Sequence, residues 1–180
     1  MVHTRNKLLI VDGYNVLRSS SRYRSIRSLD YTHDTFNRAR EALFADVLAF
    51  GGSYSSIVIV FDGGNNEFST GKEERIGGLR IIFSAQGSSA DKVIEKLAWD
   101  ARMKGIETLV ISSDANIQDT VFGFGVDRMS SEGFAREMEL QPSATFVEER
   151  QVYTRKNTLG ERLKGDSFEK LKALRDSLGG

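Results

Sequence analysis

Close to its first residue the chain reads Lys7-Leu8-Leu9-Ile10-Val11-Asp12-Gly13-Tyr14-Asn15. Four apolar residues run unbroken before the aspartate, a pattern typical of a strand that is buried on both faces of a parallel sheet. A strand that stops at Asp12-Gly13 places a carboxylate at the carboxyl edge of the sheet, where open α/β folds bind their ligands. The stretch therefore predicts a buried strand over residues 8–11 with a functional edge at its end.

The same pattern, an apolar run followed by an aspartate, occurs twice more. Residues 56–61 predict a second buried strand before Asp62, and residues 107–111 predict a fourth strand before Ser112-Ser113-Asp114. Residues 79–83 predict a third strand, which either forms an antiparallel hairpin after the loop 63–78 or runs parallel. We favour the parallel arrangement, because the loop has ample reach and the following helix is acidic at its start.

Helical patterns separate these strands. The spacing of apolar residues predicts helices over residues 34–50, 88–104, 131–140 and 166–178, and short strands over 126–130 and 145–147. The polar, arginine-rich segment 19–33 predicts a surface loop. This alternation predicts an α/β fold with a mostly parallel central sheet and helices on both of its faces. We expect one domain over residues 1–180, with a core at about 7–140 and a C-terminal basic segment and helix over 141–180.

Composition narrows the possible chemistry. The chain has no cysteine, which excludes disulfides, thiolate nucleophiles and cysteine zinc sites. Its two histidines, His3 and His33, lie in polar segments and no Gly-x-Ser-x-Gly motif occurs, so serine–histidine catalysis is not expected. No apolar run is long enough to cross a membrane, and no signal peptide is visible. We expect a cytoplasmic protein, or one inside an organelle of bacterial origin if a transit peptide has been removed.

Positive charge is concentrated in two segments, although the 25 basic and 25 acidic residues cancel. Residues 18–27 contain four arginines and no acid, and residues 150–164 contain five basic residues and one acid. Local basic patches can bind a phosphate backbone even when the net charge is zero. Residues 19–33 fit a solvated connector as well as they fit a contact with RNA.

Three carboxylates are the candidate metal ligands, namely Asp12, Asp91 and Asp114. Separated carboxylates at one sheet edge suit Mg²⁺ or Mn²⁺, which prefer oxygen ligands, and such a metal can orient a phosphate and activate the water that attacks it. Each residue also has a structural interpretation. Asp12 and Asp62 fit turns, Asp91 fits a capping box with Ser88, and Asp114 fits a helix N-cap.

Two further residues extend this group. Asn15 follows Asp12 within reach and offers an amide that can position a ligand or a neighbouring carboxylate. Glu95 lies four residues after Asp91 on the same helix face, where two acids repel each other unless a cation lies between them. A solvated helix face explains that pair equally well. We assign Asp62 and Glu95 supporting roles at the site.

Taken together, these motifs resemble the YacP-like NYN family of the PIN-like nuclease superfamily. The resemblance covers about residues 7–137 and rests on Val11-Asp12-Gly13-Tyr14-Asn15, Val60-Phe61-Asp62, Ala90-Asp91-Lys92-Val93-Ile94-Glu95-Lys96-Leu97, Ser113-Asp114, Phe122-Gly123-Phe124-Gly125, Arg128 and Ser130. It implies a three-layer α/β/α fold and metal-dependent RNA endonuclease activity. The acidic site of the family carries over to Asp12, Asp91 and Asp114, with Asn15 beside it.

One departure from the family pattern bears on this site. Members tend to carry an acid directly before the position of Gln118, where this chain has Ile117. Asp119 lies close in sequence, but we expect its side chain to point in a different direction. The departure favours a site that holds its metal weakly.

These observations predict a metal-dependent single-strand RNA endonuclease that acts in RNA decay or processing, with translated mRNA as one candidate substrate. We expect Arg22, Arg24 and Arg128 to contact the RNA backbone, and Tyr14 or Tyr23 to stack on a base. The expected partner is single-stranded RNA, with the ribosome as a second candidate and no membrane. The oligomeric state stays open.

Three other functions compete with this interpretation. An RNA- or ribosome-binding module with a weakened or inactive nuclease site is the main alternative, and Ile117 favours it. A phosphatase of the haloacid dehalogenase type needs a second aspartate two residues after Asp12, where this chain has Tyr14. A dinucleotide enzyme needs Gly-x-Gly-x-x-Gly after the first strand, and that motif is missing.

Overall fold

The structure, a computed structural model, describes residues 6–28, 33–63 and 73–140. The chain divides into two units, Met1–Leu140 and Gln141–Gly180, and every described residue belongs to the first. The strand expected over 145–147, the basic segment 150–164 and the helix expected over 166–178 lie outside the described residues, so the single-domain organisation stays a prediction. None of the described helices has the length and apolar character needed to cross a membrane.

Within the described ranges the strands belong to one sheet. They are β1 (Lys7–Asp12), β2 (Ser56–Phe61), β3 (Glu73–Ile76), β4 (Leu79–Phe83), β5 (Glu107–Ile111) and β6 (Asp127–Met129). Their order across the sheet is β3-β4-β2-β1-β5-β6, so the first strand lies at the centre. β1 is parallel to both β2 and β5, and β6 is parallel to β5. The mostly parallel sheet predicted from the apolar runs is confirmed.

The third predicted strand runs as expected. β4 is parallel to β2, with Ile57 opposite Leu79. The loop expected over 63–78, however, contains the additional strand β3, which pairs antiparallel with β4. Gly77 and Gly78 join these two strands with φ angles of 55° and 94°. A two-residue hairpin of this kind needs left-handed backbone at both positions, which glycine adopts without strain.

Helices cover both faces of the sheet. They are α1 (Gly13–Ser19), α2 (Ser21–Ser28), α3 (His33–Phe50), α4 (Ala90–Met103), α5 (Ala115–Gly123) and α6 (Ser131–Leu140). Leu9 and Val11 of β1 point to one core, which α1, α2, α3 and α6 cover. Leu8 and Ile10 point to the other core, which α4 and α5 cover. The three-layer α/β/α architecture is therefore confirmed, and α1 and α5 are elements that the apolar spacing did not predict.

The surface loop expected over residues 19–33 is wrong, because most of this segment is the helix α2. The Tyr23 side chain is wholly buried in the core, and its hydroxyl donates a hydrogen bond to Asp46 of α3 at 2.7 Å. Arg22 donates two hydrogen bonds to the same buried carboxylate, at 2.8 and 3.2 Å. Ile26 packs against the same core. Two apolar residues at helical spacing, supported by one buried acid, are enough to fold this polar segment onto α3.

Candidate functional site

The topology gathers polar residues at one edge of the sheet. Because β1, β2, β4 and β5 are parallel, their carboxyl ends lie together, and these ends carry Asp12, Asp62, Ser84 and Ser112. Asp91 lies in the first turn of α4, which follows β4, and Asp114 is the N-cap of α5, which follows β5. We call this group of side chains the carboxylate edge.

Asp12 belongs to two elements at once, as the last residue of β1 and the N-cap of α1. Its Oδ1 accepts a hydrogen bond from the Asn15 backbone N–H at 3.2 Å, and its Oδ2 accepts one from Ser112 Oγ at 3.0 Å. Only 6% of Asp12 is exposed. The helix must begin with glycine here, because a Cβ on Gly13 would overlap the ring of Phe61.

The electrostatic surroundings of Asp12 disfavour its charged form. Burial raises the pKa of its carboxyl from 3.8 to about 6, against the lowering effect of the hydrogen bonds from Asn15 and Ser112. The negative charges of Asp91 and Asp114 add a smaller upward contribution to the same pKa. Carboxylates that lie close together raise one another's pKa, but for Asp12 burial is the main cause of the shift and the neighbouring charges add to it.

Asp91 is held by its helix rather than by a cap. Ser89 is the N-cap of α4 and accepts a hydrogen bond from the Lys92 N–H at 3.4 Å, so the expected capping box of Ser88 and Asp91 is wrong. The pKa of Asp91 is raised, first by burial and then by the charges of three other acids, which are Asp114, Glu95 and Asp62. The carboxylate of Asp91 therefore faces further negative charge.

The two carboxylate oxygens of Asp114 have different surroundings. Oδ1 accepts hydrogen bonds from the backbone N–H groups of Asn116 and Ile117 at 2.8 and 3.3 Å, so the N-cap interpretation is confirmed. Oδ2 makes no hydrogen bond to any residue that the structure describes. One oxygen thus fixes the carboxylate on α5, and the second is available to a ligand at the carboxylate edge.

Asn15 connects three separate parts of the chain. Its Oδ1 accepts hydrogen bonds from Ser113 N and Ser131 Oγ, both at 2.8 Å, and from Ser19 Oγ at 3.5 Å. Ser131 N in turn donates to Ser113 Oγ at 3.0 Å. These donors fix the orientation of the amide, and its Nδ2 has no partner among the described residues. That group can donate to a ligand.

Three serines to which the sequence pattern assigned no role, Ser112, Ser113 and Ser131, complete this arrangement. Ser112 Oγ donates to the Asp12 carboxylate and accepts from the Asp114 backbone N–H at 3.1 Å, so one hydroxyl connects the Asp12 side chain to the backbone that carries Asp114. The available signal was the pair of serines between a strand end and an aspartate. Ser131 has no comparable signal, because it reaches Asn15 across 116 residues of sequence.

Ile117, the position at which the chain departs from the family pattern, belongs to the core and not to the carboxylate edge. The Ile117 side chain is wholly buried between α5 and the sheet. Gln118 points toward the strand end instead, where its Nε2 donates to the Ser112 carbonyl at 2.6 Å. The Asp119 side chain is 85% exposed and lies 3.5 Å from Arg128. An acid at position 117 would enter the core, so isoleucine there removes no carboxylate from the edge.

The side chains at the edge supply the type of donor atom that a divalent cation prefers. Within the described ranges no ion pair joins Asp12, Asp91 or Asp114 to a basic side chain, and carboxylate oxygen is the donor that Mg²⁺ and Mn²⁺ prefer. The same residues contain no group of three or more His, Cys, Asp or Glu side chains placed to hold a metal ion. The described acids therefore do not form a three-carboxylate site for direct coordination, whereas Mg²⁺ commonly keeps several waters and binds through one or two carboxylates.

The expected RNA contacts are only partly accessible. Tyr23 is wholly buried, so its proposed stacking on a base is wrong. The Arg22 guanidinium forms an ion pair with the Asp46 carboxylate at 2.8 Å. Tyr14 is half-buried, with its ring 4.9 Å from that of Phe61 and the Arg18 guanidinium 5.4 Å from its centre. Arg24 is exposed.

Comparisons with known proteins agree with this architecture. The model of the family described as "YacP-like NYN domain" matches residues 9–176. The Uncharacterized protein YacP of Bacillus subtilis (strain 168) is 29% identical over 136 residues, which cover 73% of this chain and 75% of that protein. The crystal structure of Rae1 (YacP) from Bacillus subtilis is similar over 97% of this chain and 95% of its own, at 26% identity and a TM-score of 0.59. The crystal structure of a point mutant of Rae1 has the same fold, at 24% identity, a TM-score of 0.58, and coverage of 84% of this chain and 85% of its own.

Proposed function

The chain belongs to the YacP-like NYN domain family, within the PIN-like nuclease superfamily, and we propose that it is a metal-dependent endonuclease of single-stranded RNA. One observation carries the proposal. Asp12 is buried, its pKa is raised to about 6, and it faces Asp91 and Asp114 without a paired basic side chain among the described residues. Buried negative charge is costly unless a cation neutralises it.

We propose Mg²⁺ or Mn²⁺ as the cofactor, with Asp12, Asp91 and Asp114 as the residues that hold it. When bound, such a cation orients a phosphate and lowers the pKa of a bound water. Asp62 and Glu95 add negative charge around Asp91 and support the site. The Nδ2 group of Asn15, fixed in direction by three donors to its Oδ1, donates a hydrogen bond to a phosphate oxygen of the substrate.

We further propose a role in RNA decay or processing, with translated mRNA as the substrate and the ribosome as the partner that presents it. We also propose a location in the cytoplasm or in an organelle of bacterial origin, with which the relative from Bacillus subtilis is compatible. Arg24 and Arg128 are the proposed backbone contacts, because both lie on the surface.

The direct test is cleavage of an end-labelled single-stranded RNA by the purified chain. We expect cleavage in Mg²⁺ or Mn²⁺, its loss in EDTA and its return when the metal is restored. Asp12→Asn should remain folded, bind RNA and cut about 100-fold more slowly or worse, because metal-assisted chemistry is lost. The control is Glu139→Gln, which neutralises an exposed acid near the end of α6 and should keep the parent rate. Cleavage by Asp12→Asn at the parent rate would remove Asp12 from the mechanism.

A second candidate is an RNA- or ribosome-binding module with a weakened or inactive nuclease site. The observation in its favour is that the described acids form no group placed to hold a metal ion by direct coordination. In that case the chain would bind RNA equally well with and without EDTA, and no metal would produce cleavage. The same experiment therefore separates the two functions.

A further inference from the structure

Phe122 and Arg128 form an exposed pair of an aromatic ring and a cation on the flank of α5. Phe122 lies in the last turn of α5 and is 66% exposed. The guanidinium carbon of Arg128, from the edge strand β6, lies 4.6 Å from the centre of the ring. Arg128 Nη1 also donates a hydrogen bond to the Gln118 carbonyl at 3.0 Å. The guanidinium is thus held over the ring by the backbone of the helix.

The fold does not account for the position of this ring. α5 buries Ile117 and Val121 against the sheet, while Phe122 points into solvent. A large exposed aromatic side chain is more informative than a buried one, because burial in the core does not explain it. The pair therefore has a surface that is free to meet a ligand.

The chemistry of the pair fits a nucleobase of single-stranded RNA. Proteins that bind single strands stack bases on aromatic rings and use arginine to contact the phosphate backbone or to stack on a base. The two tyrosines considered for stacking meet this need less well, since Tyr23 is wholly buried and Tyr14 is half-buried with its ring 4.9 Å from that of Phe61. Among the described residues, Phe122 combines high exposure with a guanidinium over its ring.

The position of the pair relates it to the carboxylate edge. Asp114 is the N-cap of α5, and Phe122 lies eight residues further along the same helix, about 12 Å along its axis. We propose that Phe122 and Arg128 form a base-stacking subsite, which holds a nucleotide of the RNA at a fixed distance from the carboxylate edge. This inference rests on the proposed function as an RNA nuclease and adds a second contact point for the same strand.

The test measures binding separately from cleavage. A fluorescent single-stranded RNA that carries 2-aminopurine is titrated with the chain in EDTA, where the proposed cleavage cannot occur. Phe122→Leu keeps an apolar side chain that favours the helix but removes the stacking surface, and we expect RNA binding about fivefold weaker or worse, the loss for one unstacked base. Arg128→Lys keeps the charge but loses the planar guanidinium, and it should weaken binding in the same direction. Phe122→Trp should retain the affinity.

Trp99 provides the matched control. It is 48% exposed and lies eight residues after Asp91 on α4, but its ring packs edge-on against Phe124 at 5.1 Å. Trp99→Leu should bind the RNA within about twofold of the parent, because this ring is not the proposed platform. An equal loss in Trp99→Leu and Phe122→Leu would overturn the assignment of the subsite to Phe122.

The remaining outcomes separate this inference from the proposed function. If the parent chain binds and cleaves RNA while Phe122→Leu matches it in both, the subsite is refuted and the nuclease proposal stands. If the parent chain binds no RNA in EDTA or in Mg²⁺, both proposals are refuted. Stacking should quench the 2-aminopurine fluorescence when the RNA binds. A decrease on binding to the parent that is absent on binding to Phe122→Leu would support the subsite directly.

Discussion

Asp12 is the residue on which the candidate site depends, because burial makes the ionised form of its carboxyl unfavourable in free energy. Its pKa is about 6 in the folded chain and 3.8 without these surroundings, so the folded state binds this proton more tightly than the unfolded state. The stability gained from the protonated form is complete below about pH 4 and is lost as the pH rises through about 6. The difference between the two pKa values corresponds to about 3 kcal/mol at neutral pH.

This linkage gives a prediction for Asp12→Asn in EDTA. The variant has no carboxylate to ionise, so its stability relative to the parent should increase between about pH 4 and about pH 6 and then level off. Thermal unfolding of both proteins across this range measures the difference. Asp119→Asn, which changes an exposed acid, should show no such increase. A difference between Asp12→Asn and the parent that does not vary with pH would contradict the burial argument.

Asn15 gives a second prediction at the same scale. Asn15→Asp keeps an oxygen that can accept from Ser113 and Ser131, but it replaces the free Nδ2 donor with negative charge. We expect the variant to fold, with RNA cleavage reduced about 100-fold through loss of one donor to the substrate. Rates measured at saturating Mg²⁺ test this, and Ser19→Ala, which removes the longest of the three hydrogen bonds, is the control. A parent-like rate for Asn15→Asp would leave Asn15 with a structural role alone.

Among the secondary-structure elements, α2 depends on one buried acid. Asp46 of α3 accepts from both Arg22 and Tyr23, so a single carboxylate fixes a helix that is otherwise mainly serine and arginine. Removing either partner leaves polar groups without a hydrogen bond in the core. This contact makes Arg22→Ala a poor test of RNA binding, because the change also affects stability.

We expect Asp46→Ala to lower the free energy of unfolding by about 1–3 kcal/mol, since it leaves the buried Tyr23 hydroxyl without its acceptor, while the partly exposed Arg22 can still reach water. Tyr23→Phe should cost about 1 kcal/mol, the usual effect of one hydrogen bond. Arg24→Ala changes an exposed residue of the same helix, so it should cost less than about 0.5 kcal/mol. Urea unfolding of the three variants gives these values. A stable Asp46→Ala would show that α2 is held by apolar contacts alone.

The elements also show where sequence reasoning succeeds. Unbroken apolar runs identified β1, β2, β4 and β5, because central parallel strands are buried on both faces. β3 was missed, since its residues Glu73–Ile76 are mostly charged and only the following Gly77-Gly78 indicates a hairpin. Asp12, Asp91 and Asp114 could be selected from their places at strand and helix ends. The hydrogen bonds of Asn15 could not be predicted, because they depend on tertiary packing across distant parts of the chain.

At the scale of the whole molecule, the net charge of zero conceals an acidic edge. Asp12, Asp91 and Asp114 lie where the proposed substrate brings its phosphates, so the free protein should repel RNA at this point. Basic residues elsewhere on the surface attract the RNA backbone. RNA affinity should therefore depend strongly on whether a divalent cation or a substitution neutralises the edge.

This dependence is our prediction for the whole molecule. A single-stranded RNA should bind more tightly in Mg²⁺ than in EDTA, at matched ionic strength and before appreciable cleavage. Asp12→Asn should bind more tightly than the parent in EDTA and respond less to Mg²⁺. Fluorescence anisotropy at several salt concentrations separates this effect from general screening. Equal affinity of the parent in Mg²⁺ and EDTA would contradict a repulsive edge.

The hydrogen bonds around Asn15 and Asp12 have a consequence for biosynthesis. They join residues that are 98, 100 and 116 positions apart in the sequence. A growing polypeptide emerges from its amino end, so β1 leaves the ribosome long before α6 has been made. The Asn15 amide cannot take its final orientation until Ser131 has been added and folded into place. If the proposed nuclease activity needs this orientation of Asn15, the chain should be unable to cut the messenger that encodes it for most of its own translation.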